Sequence, residues 1–161
     1  MIFVAVGTQA PFDRMVRVVD AWAARSGRRD VFAQIGRGGW RPPHLDAVEN
    51  LTAREFHERV AAAEIVISHA GMGTILTALE LAKPVLVMPR RAALREHRND
   101  HQVDTANKLG AMGLVTVAAD EDELAEHLEH LDAVKAGRLA RAGERERLIE
   151  TLRRFVLEGR R

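Results

Sequence analysis

Short apolar runs recur along this chain, and between them the apolar residues switch to helical spacing. Ile2-Phe3-Val4-Ala5-Val6 is the first run, after which Phe12, Met15, Val16, Val19 and Trp22 repeat with the period of a helix. Asp30–Ile35 reads as a second strand and Asp46–Leu51 as a weaker third. Ile65–Ser68 and Val85–Met88 are apolar at every position or nearly so, as parallel strands covered on both faces must be. Gly113–Val117 reads as the last strand. Thr52-Ala53-Arg54-Glu55 has the form of a capping box opening a helix to about Ala62. Further helices are predicted after Thr74, from about Arg98 to Leu109, and behind the acidic cap Asp120-Glu121-Asp122-Glu123. Strands alternating with helices in this way predict a doubly wound parallel α/β sheet with helices on both faces.

The length of 161 residues suits a single domain, residues 1–161, in which 133–161 form a C-terminal amphipathic helical segment. Leu148, Ile149, Leu152, Phe155 and Val156 give that segment an apolar face. Its nine Lys and Arg against four Glu would fit a nucleic-acid or lipid contact, but the stripe and a net charge of +1 favour a packed helix and no nucleic acid. With no cysteine there is no disulfide framework, thiolate metal site or thiol nucleophile, which is compatible with a cytoplasmic setting. No run approaches the roughly 18 apolar residues of a membrane span. Met1–Val6 has no basic leader and is read as a strand, not as a signal peptide.

In an open parallel sheet, ligands bind beyond the carboxyl ends of the strands. Gly7-Thr8, Gly36-Arg37-Gly38-Gly39, His69–Thr74 and Pro89–Gln102 are all expected there. His69-Ala70-Gly71-Met72-Gly73-Thr74 places two glycines where a strand turns into a helix. A helix N-terminus offers unpaired N–H groups and partial positive charge, and glycines let an anion approach the backbone. Thr74 and His69 add a hydroxyl and an imidazole N–H as donors. The spacing fits neither a P-loop nor GxGxxG, and tight turns also use glycine without any ligand. Pro89–Gln102 packs four arginines, two histidines and an Asn-Asp pair into one polar connection, and loops of that kind more often serve function. His97 and His101 at i, i+4 lack a third zinc ligand, so no metal site is expected.

The stretch from His69 through "GMGTILTALELAKPVLVMP" to Asn99-Asp100-His101-Gln102 resembles the nucleotide-sugar signature of family 28 GT-B glycosyltransferases. "VGTQAPFDRMVRVVDAWA" and "QIGRG" are similar to the small catalytic subunits of two-part enzymes, namely the PssE-type polysaccharide enzymes and the soluble half of the dolichol-pathway N-acetylglucosaminyltransferase. The resemblance implies a Rossmann-like domain, the C-terminal half of a GT-B fold. It also implies an inverting transferase that uses a UDP-sugar as substrate without a metal cofactor and is active with a membrane-anchored, acceptor-binding partner. That pairing would sit at the inner face of the plasma membrane, on a lipid-linked glycan acceptor in exopolysaccharide or capsule synthesis.

Carried over, His69 and Thr74 would stabilise the leaving diphosphate, with Gly71, Met72 and Gly73 forming its turn. Asn99, Asp100, His101 and Gln102 would read the sugar, Ala53 would flank the uracil, and Gly7 and Thr8 would face the cleft between halves. Where many relatives carry a ribose-binding glutamate, this chain has Thr77, and Glu80 lies a turn further on. Arg90, Arg91 and Arg98 could pair with a carboxylate, which would select UDP-glucuronate over UDP-glucose or UDP-galactose. A UDP-sugar-binding regulatory module without chemistry of its own stays open on the residues alone.

Overall fold

The computed structural model describes residues 1–137 and the single positions 146, 150 and 154. Six parallel strands form one sheet: β1 (Ile2–Ala5), β2 (Val31–Gln34), β3 (Asp46–Val48), β4 (Ile65–His69), β5 (Val85–Met88) and β6 (Thr116–Val117). Their order across the sheet is β3-β2-β1-β4-β5-β6. The chain therefore winds outward in one direction to β3, then returns to the middle and winds the other way. The reversal falls between β1 and β4, which pair directly from Ile2↔Ile65 to Ala5↔Ser68. Loops leaving these two strands diverge, and a crevice opens between them.

Side-chain alternation builds the two layers. Ile2 and Val4 of β1, Ile65 and Ile67 of β4, and Leu86 and Met88 of β5 point to one face. There they pack on α1 (Asp13–Ser26) and α5 (Glu121–Glu129) through Met15, Val16, Val19, Trp22, Leu124 and Leu128. Phe3, Ala5, Val66, Val85 and Val87 point to the other face. They meet α2 (Ala53–Ala62), α3 (Met72–Glu80) and α4 (His101–Ala111) through Val60, Ile75, Leu79, Ala106 and Leu109. The fold is thus the expected α/β sheet, with no face of β1, β4 or β5 left to water.

Local signals place the helix starts. Thr52 Oγ1 accepts from Glu55 N while the Glu55 carboxylate accepts from Thr52 N, completing the capping box of α2. Asp120 accepts from Asp122 N and Glu123 N at the head of α5. Several boundaries differ from the sequence expectation, three of them by the most. The third and last strands shrink to Asp46–Val48 and Thr116–Val117, the residues in ladder register with β2 and β5 at the sheet edges. α4 starts at His101 rather than Arg98, since Asn99 Oδ1 accepts from His101 N and Asp100 Oδ1 accepts from Ala92 N, bending the chain just before it. The apolar stripe Leu148–Val156 lies outside the described residues. Before it, Ala136 bridges Pro84 at the amino end of β5, the end of the sheet remote from the crevice.

Candidate functional site

A cleft of about 1290 Å³ opens at the carboxyl ends of β1, β4 and β5. Compact ligand pockets run to roughly 1,000 Å³, so this one accommodates an extended ligand. Its charged lining is Arg90 and Arg98, beside the histidines His57, His69, His97 and His101, with no carboxylate among the described residues. Gly36–Gly39, expected at the same end, stay outside it. That loop is tied to α1 instead, by Trp40 N donating to Asp13 and by His44 donating to the buried Asp20.

The floor of the cleft is the amino end of α3. Gly71 occupies its N-cap with no side-chain capping bond, so the first-turn N–H groups of Met72, Gly73 and Thr74 have no partner within the helix. All four residues line the cleft, with Thr74 buried in its wall. Nothing lies within 4 Å of where a Gly73 Cβ would stand, so this glycine leaves the approach to the helix end open. Thr77 also lines the cleft, but its hydroxyl donates back to Gly73 O at 2.9 Å, and Glu80 is not in the lining.

Gly71 serves a different purpose from the one its motif suggests. A Cβ there would come within 2.0 Å of His69 Nε2, and one on Gly7 within 2.6 Å of His69 Cε1. The imidazole is wedged between the two turns, and both glycines exist to admit it. Burial, with the neighbouring Arg90 cation second, pushes the His69 pKa down to about 4, so the ring is neutral at physiological pH. Ala5 O lies 3.4 Å from Nδ1 and can only accept, which places the single proton on Nδ1. Nε2 is then an acceptor. The expected donation from His69 to a phosphate oxygen is not available in this arrangement, because the proton is committed to the backbone of β1.

The Gly7 turn is held as firmly. Gly7 is left-handed, with φ of 84°, and the buried Gln34 side chain takes both its backbone groups. Arg90 is 4% exposed and donates to Val6 O, Ala10 O and Pro11 O while stacking over the Phe12 ring. Its guanidinium borders the cleft with three of its N–H donors given to these carbonyls.

The loop from Pro89 to Gln102 divides into anchors and lining. Arg91 leaves the cleft: its guanidinium donates to Ala119 O. Asp100 also stays outside, its carboxylate accepting from Ala92 N. Glu96 forms a two-pronged pair with Arg14 of α1, at 2.6 and 2.8 Å, and Arg14 reaches Glu121 of α5 as well. Arg98, Asn99, His101 and Gln102 do line the cleft. Gln102 accepts from Arg90 N with its carbonyl oxygen, so its amide nitrogen is the end left for a ligand. His97 joins them, bonded to Asn99. The expected set is therefore assembled except for Arg91 and Asp100.

At the far side Ala53 is joined by Leu51, Phe56 and His57, an apolar and aromatic wall suited to a flat base. Phe56 is braced edge-on by Phe3 at 5.5 Å. These three were not singled out from the sequence, nor were Gln34 and Gln9. Phe56, one turn after the cap, carried the only local hint. Among the described residues, no group of three or more His, Cys, Asp or Glu is placed to hold a metal ion. None of the described helices is long and apolar enough to cross a membrane.

The glycosyltransferase family 28 C-terminal domain matches residues 1–154. The UDP-N-acetylglucosamine transferase subunit ALG13 of Homo sapiens is 32% identical over 123 residues, 70% of this chain and 10% of that protein. Its Yarrowia lipolytica counterpart is 27% identical over 137 residues, 77% of this chain and 67% of the other. That of Cryptococcus neoformans is 43% identical over 70 residues, and the match spans only 33% of its length. Among solved structures, the solution structure of ALG13 superposes with a TM-score of 0.62 at 22% identity, covering 92% of this chain and 94% of that one. The glycotransferase of kitacinnamycin gives 0.61 at 18% identity, covering 95% of this chain but 38% of its own. These likenesses show the fold.

Proposed function

Since the chain belongs to the glycosyltransferase family 28 C-terminal domain family, we propose that it is the donor-binding half of a UDP-sugar glycosyltransferase, completed by a separate acceptor-binding chain. The observation that carries this reading is the cleft at the strand reversal, cationic in all its charged lining and floored by the open amino end of α3. The uracil rests on the wall of Leu51, Ala53, Phe56 and His57. The diphosphate lies over Met72, Gly73 and Thr74, beside Gly7 and Thr8. The sugar reaches Arg98, Asn99, His101 and the Gln102 amide.

As the glycosidic bond breaks, negative charge grows on the diphosphate. Fixed N–H donors, the Thr74 hydroxyl and the buried Arg90 cation stabilise it without having to reorganise. Among the described residues the cleft offers no carboxylate to hold a divalent cation, and the reaction is proposed to need none. Burial lowers the His69 pKa to about 4, which makes Nε2 a weak base, and the base that deprotonates the acceptor hydroxyl is assigned to the partner half. The proposal extends to a membrane-anchored partner and a lipid-linked acceptor at the cytoplasmic side of the membrane; the relatives' name, a transferase subunit, supports a second chain.

The donor sugar is better read as neutral than as a uronate. Arg91 turns away from the cleft to Ala119 O and Arg90 gives three donors to carbonyls beneath the Gly7–Ala10 loop, so of the three expected arginines Arg98 is the one open to a carboxylate. The relatives' names point to N-acetylglucosamine, and none of them mentions exopolysaccharide or capsule. Calorimetry with UDP, UDP-N-acetylglucosamine, UDP-glucose, UDP-galactose and UDP-glucuronate, each with and without a chelator, tests the proposal. Binding of UDP unaffected by the chelator is expected, and absence of UDP binding would overturn it.

A further inference from the structure

The loop Gly7–Pro11 exposes Thr8, Gln9 and Ala10, yet it is gripped from beneath by side chains from three other strand ends. From β2, Gln34 accepts from Gly7 N at 3.2 Å and donates to Gly7 O and Glu49 O, both at 3.0 Å. Both amide hydrogens and the carbonyl are used, so only an amide satisfies all three contacts. At the end of β4, His69 fills the space that Gly7 leaves. Following β5, Arg90 binds Val6, Ala10 and Pro11 carbonyls at 2.9, 2.6 and 2.7 Å.

Stability alone does not call for this arrangement. Arg90 pairs with no carboxylate among the described residues, and Glu96, the acid that acts on it, is already held by Arg14. A buried cation without a counterion is costly, and the three carbonyls and the Phe12 ring supply dipoles but no countercharge. The charge borders a cleft whose lining, among the described residues, holds no anion.

On the donor-binding reading above, we propose that Gln34 and Arg90 are positioning residues for the diphosphate end of the donor. They fix the Gly7–Ala10 loop in its binding shape, and Arg90 keeps beneath it a positive charge that the bound diphosphate balances. Neither touches the base wall, which stands on α2 at the other end of the cleft.

The test uses the isotopically labelled full chain and its Gln34→Met, Arg90→Met and Arg90→Lys variants. Amide hydrogen exchange is followed at residues 6–11, and UDP and uridine are titrated in parallel. Exchange at Gly7 should accelerate tenfold or more in Gln34→Met while the amides of β1, β4 and β5 keep their protection. UDP affinity should fall tenfold or more in both Met variants, with uridine affinity within twofold of wild type. Arg90→Lys keeps the charge but cannot reach three carbonyls at once; its UDP loss should be intermediate, and it serves alone if Arg90→Met does not fold. Equal weakening of UDP and uridine would reduce both residues to general supports of the fold and overturn the proposal. So would UDP affinity unchanged in the variants. If wild type binds no UDP, the donor reading falls with the diphosphate half of this proposal, while unchanged Gly7 exchange in Gln34→Met would refute the clamp on its own.

Discussion

Two glycines in one six-residue turn have opposite duties, and single methyl groups separate them. At Gly71 an added Cβ meets the His69 ring at 2.0 Å, a contact that neither backbone nor ring can relieve cheaply. Gly71→Ala should therefore cost about 1–3 kcal/mol of stability in urea unfolding, the usual scale of overpacking. At Gly73 the same methyl meets nothing, and alanine is the better helix former, so Gly73→Ala should leave the fold as stable or up to about 1 kcal/mol more stable. It should nevertheless weaken UDP, because the methyl stands over the open helix end. His69 adds a pH signature. Its folded pKa of about 4 lies below the unfolded value near 6.5, so between these values the unfolded chain binds more protons. Stability from this group is whole above about pH 6.5 and is lost as pH falls toward 4, by at most about 1.4 kcal/mol per pH unit. Urea unfolding of wild type and His69→Gln across that window checks it: the variant should lack this part of the slope.

At the scale of elements, the long loop after β5 is held by charges that belong to helices on one face of the sheet. Arg14 of α1 pairs with Glu96 in the loop and Glu121 at the head of α5, its side chain and that of Glu96 being 14% and 13% exposed. Arg14→Ala leaves Glu96 largely buried and unpaired, and a loss of about 1.5–3 kcal/mol is expected from hydrogen bonds to charged groups. Because Glu96 also accepts from Arg91 N, the same variant should raise amide exchange between residues 90 and 98. Unchanged exchange there would show that the loop is held by Arg90 and Gln102 alone. The sequence signals at this scale were those whose partners lie within four residues. The Thr52–Glu55 box and the Asp120 cap were legible for that reason. The start of α4 was not, because Asp100 bonds Ala92 eight residues back and so bends the chain instead of beginning a helix.

For the whole molecule, the expected consequence of an open cationic cleft is ligand-linked stability. A ligand that binds only the folded chain adds about 2.7 kcal/mol at 100 times its Kd. For a domain of this size that corresponds to a rise in Tm of about 5–10 °C. UDP should produce such a rise in a chelator as well as in magnesium, and a scanning-calorimetry series over UDP concentration measures it. A shift that disappears in chelator would assign the diphosphate contact to a metal rather than to α3.

The order of strands and helices, and the two faces each strand must hide, were determined by local periodicity. A side-chain period of two or of 3.6 is a property of neighbours along the chain. The turn at Gly71–Thr74 was legible too, as a glycine-bearing strand-to-helix junction followed by a polar loop. What the tertiary structure alone decided is which side chains are free. Arg90 and Arg91 look like cleft arginines in the sequence, but carbonyls more than 20 residues away take three donors of Arg90 and turn Arg91 out of the cleft. Gln34 looks like an ordinary strand residue, but 27 positions upstream it finds both polar groups of Gly7. His69 looks like a phosphate donor, but β1 pairs beside β4 and brings Ala5 O to its proton. A residue's type is written in the chain, whereas the partner that satisfies it is set by strand order, and in this sheet the reversal between β1 and β4 brought those partners together.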